Sequence, residues 1–195
     1  MRLFVALDIT DDIRNRISRF LEGVRGFAPD VRWVRPESLH VTLKFIGERS
    51  DEDVDRIKET LAKVAGDRIE MNFCGYGFFP GAREPRVFWI GIEASSKLVS
   101  LAATVDAKLA SLAIPQEEHA FSPHLTLARG ARGSGSPRRQ RKDRPNSAFQ
   151  RLQEKLAALP APEFGTMTAH EFFLYQSQSA LGGSKYTKLA SFPLH

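Results

Sequence analysis

Residues 39–43 read LHVTL and residues 123–127 read PHLTL, and these two stretches decide both the expected fold and the expected site. In each stretch a histidine is followed by an aliphatic residue, a threonine and a leucine, and His124 follows His40 by 84 residues. Side chains alternate along a β-strand, so the histidine and the threonine share one face while the aliphatic residues share the other. Each strand therefore presents an imidazole and a hydroxyl on one side and is anchored in a core by the other.

One such strand would carry little information, because a lone histidine in a strand is usually structural. The repetition half a chain apart instead indicates two related halves whose polar faces line one cleft. Imidazole has an unperturbed pKa of about 6.5, so one ring can be neutral and the other protonated near neutral pH. The pattern favours a general base and a general acid, with Thr42 and Thr126 donating hydrogen bonds to a phosphodiester whose charge grows in the transition state.

The composition excludes several classes of protein. A chain of 195 residues with 42% hydrophobic and 26% charged residues suits one globular domain and is neither disordered nor collagen-like. Cys74 is the only cysteine, which excludes a disulfide framework, and no third ligand stands at metal-like spacing from the histidines. We expect no metal and no other cofactor. No apolar run reaches the roughly 18 residues of a membrane span, so we expect a soluble cytoplasmic protein with no membrane partner.

Hydrophobic periodicity predicts an α+β protein with largely antiparallel sheets. Thr10 is expected to cap the first helix, which ends near Gly26, and Ser50 is expected to open the second, whose apolar face runs to Val64. Two further helices and eight strands are expected: helices at 96–112 and 147–158, and strands at 2–9, 31–34, 39–46, 69–79, 86–93, 121–128, 170–176 and 186–192.

The net charge of +5 comes from one segment. Residues 129–144 hold seven basic residues against one acidic residue, a net +6, which leaves the rest of the chain at −1. Residues 130–146 are rich in glycine, serine, proline and arginine, so we expect a mobile basic insertion that does not join the core. Two interpretations stay open: a solvated loop, or a contact with a phosphate backbone through arginines that include Arg138, Arg139 and Arg141.

The two histidine motifs belong to a longer pattern. In order along the chain stand MRLFVALDI, RWVRPESLHVTLKFIGE, GYGFFP followed by RVFWIGI, SPHLTLAR, and GGSKYTKLASFPL. Over nearly its whole length the chain resembles the two-histidine (2H) phosphoesterases, and within them the RNA 2′,3′-cyclic phosphodiesterases, which are also called 2′-5′ RNA ligases.

This resemblance implies a fold and a reaction. The fold would be one bilobal, pseudo-two-fold domain over residues 1–195, with mostly antiparallel sheets facing a central cleft, helices outside, and the basic insertion at about 130–146. The reaction would be metal-independent hydrolysis of RNA 2′,3′-cyclic phosphate ends or of a small cyclic nucleotide. We expect a monomer.

The resemblance also implies a role for each motif residue. His40 would be the proton donor, and His124 the proton acceptor that activates water to give a 2′-phosphomonoester. Thr42 and Thr126 would bind the non-bridging oxygens. Arg129 matches a phosphate ligand of the family, but strict alternation places it on the opposite face from His124, so it needs a bulge or a strand end to reach the cleft.

Other side chains are candidates for contacts with the substrate. Lys44 is expected to approach the phosphate. Phe45 and Tyr186 are expected either to stack on the terminal base or to pack in the core. Trp33 and Trp89 alternate with apolar neighbours and are expected in the core.

Two other functions stay open. The same acid and base serve the reverse reaction, which joins RNA ends through a 2′-5′ bond, and the sequence does not choose the direction. A non-catalytic nucleotide- or RNA-binding module would keep the cleft without turnover, although the presence of both histidines and both threonines argues against it.

Overall fold

Strands and helices follow one another in an irregular order that often places two strands in succession. The computed structural model describes residues 1–130 and 147–195. Its helices are α1 (Asp11–Val24), α2 (Asp51–Leu61), α3 (Ser96–Ala110) and α4 (Gln150–Ala157). Its strands are β1 (Arg2–Leu7), β2 (Arg32–Trp33), β3 (Val41–Glu48), β4 (Ile69–Phe79), β5 (Val87–Ala94), β6 (His124–Arg129), β7 (Glu163–Ala169), β8 (Glu171–Ala180) and β9 (Gly183–Pro193).

The strands of the described residues form two sheets. One has the order β3-β1-β8-β9 and the other the order β2-β6-β5-β4-β7. All their pairings are antiparallel. The predicted α+β class is confirmed. Strand β3 contacts β6, so the strands that carry the two histidine motifs adjoin where the sheets meet.

Both sheets contribute to one continuous apolar core. Along β1, Leu3, Val5 and Leu7 are buried in this core, whereas Phe4 and Ala6 point the other way into a small aromatic cluster. Helix α1 contacts β7, and α3 contacts β3. The face of β1 that carries Phe4 and Ala6 is therefore turned away from the core, and β3 continues this face with the first histidine motif.

The first two helices begin at the predicted capping residues. Thr10 Oγ1 accepts a hydrogen bond from the backbone N–H of Ile13 at 3.4 Å, and Ser50 Oγ accepts one from the N–H of Asp53 at 3.2 Å. Acidic residues occupy the first turn of both helices, where they interact favourably with the helix dipole. Both predicted caps are confirmed.

Strand β7 is absent from the sequence-based prediction. Pro160 and Pro162 precede it, and Gly165 within it has a φ of +101°, so the apolar pattern is interrupted. The strand lies at the edge of its sheet and pairs only with β4. The other strands are found near their predicted positions, although β6 begins at His124 rather than at residue 121.

Two expectations concern the insertion and the membrane. The predicted basic insertion, with Arg138, Arg139 and Arg141, lies outside the described residues except for Gly130. Across residues 1–130 and 147–195, no helix is both long enough and apolar enough to span a bilayer.

Candidate active site

A β-bulge in β3 determines which side chains of the first motif share a face. Consecutive residues of β1 pair with Thr42 and Lys44, so Leu43 is an extra residue in β3. Beyond a bulge, the alternation of side chains is shifted by one residue. Phe45 therefore lies on the same face as Thr42, while Lys44 is turned towards the core.

Lys44 does not reach the cleft, which contradicts the prediction that it approaches the phosphate. Its side chain is 3% exposed, and its Nζ lies 2.6 Å from Asp106 Oδ1 on α3. The same Nζ donates hydrogen bonds to the carbonyl of Pro115 at 2.6 Å and to Glu117 Oε1 at 3.2 Å. The prediction assumed unbroken alternation, and the bulge at Leu43 breaks it.

The second motif carries the same irregularity. Consecutive residues of β5 pair with Thr126 and Ala128, which leaves Leu127 as the extra residue in β6. The bulge puts Arg129 on the face that carries His124 and Thr126. The structure thus contains the bulge that Arg129 needs in order to reach the cleft.

Both histidines are fixed through the same ring nitrogen. His40 Nδ1 lies 2.7 Å from the carbonyl oxygen of Ser38, and His124 Nδ1 lies 2.7 Å from that of Ser122. A carbonyl can only accept a hydrogen bond, so Nδ1 carries the hydrogen in both rings. Nε2 is then the nitrogen that can take up or release a proton towards a substrate.

Aromatic rings surround His40. Phe4 lies against it with ring centroids 4.8 Å apart, and Tyr186 meets it edge-on at 5.1 Å. Tyr175 stacks on Phe4, with 5.1 Å between their ring centroids. Tyr186 is thus beside the catalytic candidate rather than in the main core. Phe4 and Tyr175 are neighbours of His40 that the sequence did not single out, because each resembles an ordinary strand residue.

Trp89 lies beside His124, which corrects the prediction that it belongs to the core. Its ring centroid is 6.3 Å from that of His124, and Phe79 meets the same imidazole edge-on at 4.9 Å. The cross-strand partner of Trp89 is Gly77, and a Cβ there would overlap the indole ring. Because Gly77 has no side chain, the indole of Trp89 can lie across β4. Trp33, in contrast, packs edge-on against the buried Phe88 in the core, as predicted.

The pKa of each histidine is lowered from its ordinary value. Burial is the largest cause for both rings, and the hydrogen bond from Nδ1 to a carbonyl acts in the opposite direction. The positive charge of Arg129 lowers the pKa of both His40 and His124 further. One guanidinium therefore acts electrostatically on both halves of the site.

Asp8 distinguishes the two histidines. Its charge raises the pKa of His40, whereas no carboxylate among the described residues acts comparably on His124. Burial would raise the pKa of Asp8 itself, but hydrogen bonds from Lys188 and a backbone N–H, and the charges of Lys188 and Arg14, hold it below its usual value. The Asp8 oxygens lie 2.5 Å from Lys188 Nζ and 2.8 Å from Arg14 Nη2. Asp8 is thus held ionised beside the His40 pocket.

The cleft also offers an exposed aromatic surface. Phe45 is 56% exposed and lies 6.2 Å from Phe4, ring centroid to ring centroid. It is therefore not a core residue. Within the described part of the chain, no three histidine, cysteine, aspartate or glutamate side chains are grouped so that they could hold a metal ion.

Known proteins match this chain over nearly its whole length. Residues 7–89 match the family described as LigT like phosphoesterase. The RNA 2′,3′-cyclic phosphodiesterase of Archaeoglobus fulgidus is 34% identical over 192 residues, which cover 98% of this chain and 99% of that protein. The protein of the same name from Methanothermobacter thermautotrophicus is 29% identical over 196 residues, covering 100% of this chain and 99% of that protein.

Solved structures show the same architecture. Escherichia coli LigT complexed with 3′-AMP superposes with a TM-score of 0.76 at 26% identity, covering 99% of this chain and 97% of that one. A protein of Thermus thermophilus superposes with the same TM-score of 0.76 at 28% identity, again covering 99% and 97% of the two chains. Escherichia coli LigT has also been solved in complexes with NADP+ and with ATP.

Proposed function

The chain belongs to the LigT-like phosphoesterase family, and on this premise we propose that it hydrolyses RNA 2′,3′-cyclic phosphate ends to 2′-phosphomonoesters. The observation that supports this most strongly is the matched pair of imidazoles. Both are anchored through Nδ1, both keep Nε2 for proton transfer, and both are influenced by the charge of Arg129. A metal-free cleavage of a phosphodiester needs such a separate acid and base.

The proposed reaction balances with one water. His124 Nε2 takes a proton from water as the water oxygen attacks phosphorus. The bond from phosphorus to the 3′ oxygen breaks, and His40 Nε2 donates a proton to that oxygen. The products are a 3′ hydroxyl and a 2′-phosphomonoester, and a second proton transfer between the histidines through solvent restores the starting state.

Asp8 supports the assignment of His40 as the acid. A general acid must hold a proton at the start of the reaction, and the negative charge of Asp8 favours the imidazolium form of His40. His124 lacks such a carboxylate among the described residues. Burial and the charge of Arg129 lower the pKa of both rings, so Asp8 is the charge that separates them. The bound phosphate would itself raise the pKa of a nearby imidazole, because the opposite charge stabilises the proton.

Uncharged and charged donors complete the proposed phosphate site. Thr42 and Thr126 stand on the faces of His40 and His124, where their hydroxyls can donate to non-bridging oxygens. Arg129 supplies a guanidinium, which suits phosphate because it donates two parallel hydrogen bonds. Phosphoryl oxygens gain charge in the transition state, so donors that are already in place lower its free energy.

Phe45 and Tyr186 are proposed to contact the terminal base. Phe45 presents an exposed ring on the cleft face, and Tyr186 lies edge-on to His40. Stacking on an aromatic ring is tolerant of base identity. The enzyme is therefore proposed to accept several terminal bases.

We also propose that the chain acts as a single bilobal domain and as a monomer. The continuous apolar core joins residues of both sheets, and both histidine strands come from one chain. Sedimentation equilibrium would test the monomer, and a mass of twice that of the chain would contradict it. A cytoplasmic location stays a prediction of the sequence.

The direct test is incubation with an oligoribonucleotide that ends in a 2′,3′-cyclic phosphate. We expect a terminal 2′-phosphate, identified by nuclease digestion and mass spectrometry. His40→Ala and His124→Ala should lose most of the activity, while the exposed His119→Ala, as a matched control, should keep it. A joined 2′-5′ product at low RNA concentration would favour the reverse reaction instead. Tight binding without any product would favour a non-catalytic module.

A further inference from the structure

One cavity adjoins the surroundings of His40, because Ser38 and Tyr186, which both contact His40, are among the residues that line it. It has a volume of about 630 Å³, which is within the range of ligand sites in proteins. One wall comes from β2 and the residues that follow it, and the other from the tip of the β8–β9 hairpin. Three arginines line the cavity: Arg32 and Arg35 from the β2 wall, and Arg129 from the end of β6.

The lining of this cavity is cationic. Arg32 and Arg129 are direct partners across the antiparallel pair of β2 and β6, so two cations stand side by side on one face. No aspartate or glutamate is among the described residues that line the cavity, and neither Arg32 nor Arg35 has an ion pair with a described residue. Arg32 and Arg35 can therefore pair with an anion that enters the cavity.

The hairpin tip is held in place as the second wall. Arg35 Nη2 donates a hydrogen bond to the carbonyl of Leu181 at 3.0 Å. Gly182 has a φ of +83°, and a Cβ at that position would lie 2.7 Å from the same Nη2. A side chain at residue 182 would therefore push Arg35 away. The guanidinium is the end of a flexible side chain and can move, so the positive φ is what favours glycine at residue 182.

The arginine-lined cavity continues into the proposed catalytic site. Ser38 and Tyr186 line it, and these residues also border His40: Ser38 through the hydrogen bond to Nδ1, and Tyr186 through its ring. Arg129 lines it as well and acts on both imidazoles. A chain whose end is held at the histidines can therefore extend into this cavity.

The cavity that His40 itself lines has a different character. It measures about 400 Å³ and is lined by Asp8 and Glu37 together with Lys188. Two carboxylates and one ammonium group, with Asp8 already paired to Lys188, are a poor environment for a further phosphate. These charges favour extension of the RNA chain into the arginine-lined cavity rather than into the cavity that contains Asp8 and Glu37.

We propose that the arginine-lined cavity binds the phosphodiester that links the terminal nucleotide to the preceding one. This inference rests on the proposed function, which places a cyclic phosphate between the histidines. It adds a contact with the internal phosphate next to the cyclic end of the RNA, and it names Arg32 as the specificity residue for that phosphate. Arg35 both lines the subsite and holds its second wall.

The test compares three substrates, of which the two dinucleotides differ only in one charge. The first is a mononucleoside 2′,3′-cyclic phosphate. The second is a dinucleotide with the same cyclic end and an ordinary internal phosphodiester. The third is the same dinucleotide with a neutral methylphosphonate in place of that internal linkage. The value of kcat/KM is measured for each with wild type, Arg32→Gln, and Arg56→Gln, in which an exposed arginine on α2 is changed as the matched control.

We expect wild type and Arg56→Gln to prefer the charged dinucleotide over the methylphosphonate by about tenfold, which corresponds to one charge-assisted hydrogen bond. Arg32→Gln should lose this preference and keep its rate on the mononucleotide. The salt slope of log kcat/KM for the charged dinucleotide should also flatten in Arg32→Gln by about 0.7. Equal rates of wild type on the two dinucleotides, or an unchanged preference in Arg32→Gln, would overturn the inference.

A binding measurement separates this inference from the proposed function. The probes are the two dinucleotides that carry a terminal 2′-phosphate, one with the charged and one with the neutral internal linkage, and their Kd values are measured by calorimetry. Tighter binding of the charged probe to wild type, but not to Arg32→Gln, would support the subsite even if no cyclic phosphate were hydrolysed. Hydrolysis of the mononucleotide together with equal Kd values would instead keep the proposed function and reject the subsite.

Discussion

Phe45 and Arg129 occupy corresponding positions in the two histidine strands, each three residues beyond the motif threonine and just past a bulge. The same backbone irregularity thus brings an exposed phenyl ring to the cleft in one half and a guanidinium in the other. The two related strands therefore present different side chains to the cleft: an apolar ring in the first half, and in the second the arginine that is proposed to bind phosphate. The proposed site is asymmetric for this reason, although its histidines are anchored alike.

Replacing Arg129 with glutamine should change both the rate and the pH profile. Loss of a hydrogen bond to a charged group is worth about 1.5–3 kcal/mol, so kcat/KM should fall by roughly ten- to a hundredfold. Because the charge of Arg129 lowers the pKa of both histidines, the pH profile of kcat/KM should move to higher pH. Arg129→Lys is the matched control: it keeps the charge, so its profile should stay in place while the paired hydrogen bonds are lost. A glutamine variant with an unshifted profile would argue against this electrostatic role.

Replacing Asp8 with asparagine should lower the pKa of His40. The carboxylate now raises that pKa, and the neutral amide would leave the charges of Lys188 and Arg14 uncompensated. NMR titration of the imidazole resonances should show the shift for His40 and little change for His124. Asp30→Asn, at an exposed position, should leave both titrations unchanged. An equal shift of both histidines in Asp8→Asn would mean that Asp8 does not select the acid.

The pH dependence of the wild-type enzyme should differ between kcat/KM and kcat. The first reports the free enzyme, in which the pKa of both His40 and His124 is lowered, so its bell-shaped profile should have its optimum below about pH 6.5. The second reports the complex, where the phosphate anion favours the imidazolium form, so its optimum should lie at higher pH. The two limbs belong to the coupled pair of rings. Coincident optima would contradict the proposed contact between phosphate and imidazole.

Replacing Lys44 with methionine should reduce stability and leave catalysis intact. The ammonium group is buried and contacts Asp106, Glu117 and a backbone carbonyl, so its removal leaves partly buried acceptors without a donor. The free energy of unfolding should fall by about 2 kcal/mol in urea titrations, while kcat/KM stays at the wild-type value below the unfolding transition. Lys63→Met, at an exposed position, is the matched control. If Lys44→Met were as stable as wild type but slower in turnover, the result would indicate that Lys44 contacts the phosphate after all.

The duplicated motif was sufficient to identify the two histidine strands, and the longer pattern of segments that contains it indicated the family to which the chain belongs. His40 and His124 stand out because the same four-residue pattern occurs twice at a large separation, and chance rarely produces that. The α+β class followed from the spacing of apolar residues, and the caps of α1 and α2 followed from Thr10 and Ser50. These features depend on local sequence, which is why they could be predicted.

The predictions for individual side chains were wrong where the pairing between strands, rather than the alternation of residues along one strand, determines which way a side chain points. Lys44 was expected in the cleft because alternation was counted through Leu43, and a bulge is visible only once the partner strand is known. Trp89 was expected in the core because its neighbours are apolar, whereas its position depends on Gly77 in the strand beside it. The contribution of Asp8 could not be predicted either, since it acts on a histidine 32 residues away in sequence.

The assignment of His40 as acid and His124 as base is tested most directly with a cyclic substrate whose 3′ bridging oxygen is replaced by sulfur. A thiol has a pKa near 8.5, so a thiolate leaves without help from a general acid. The measurement is kcat/KM of wild type, His40→Ala and His124→Ala on the oxygen and sulfur substrates. We predict that His40→Ala is strongly impaired on the oxygen substrate and nearly as fast as wild type on the sulfur substrate, while His124→Ala is impaired on both. Equal impairment of His40→Ala on the two substrates, or rescue of His124→Ala by sulfur, would contradict the assignment of His40 as acid and His124 as base.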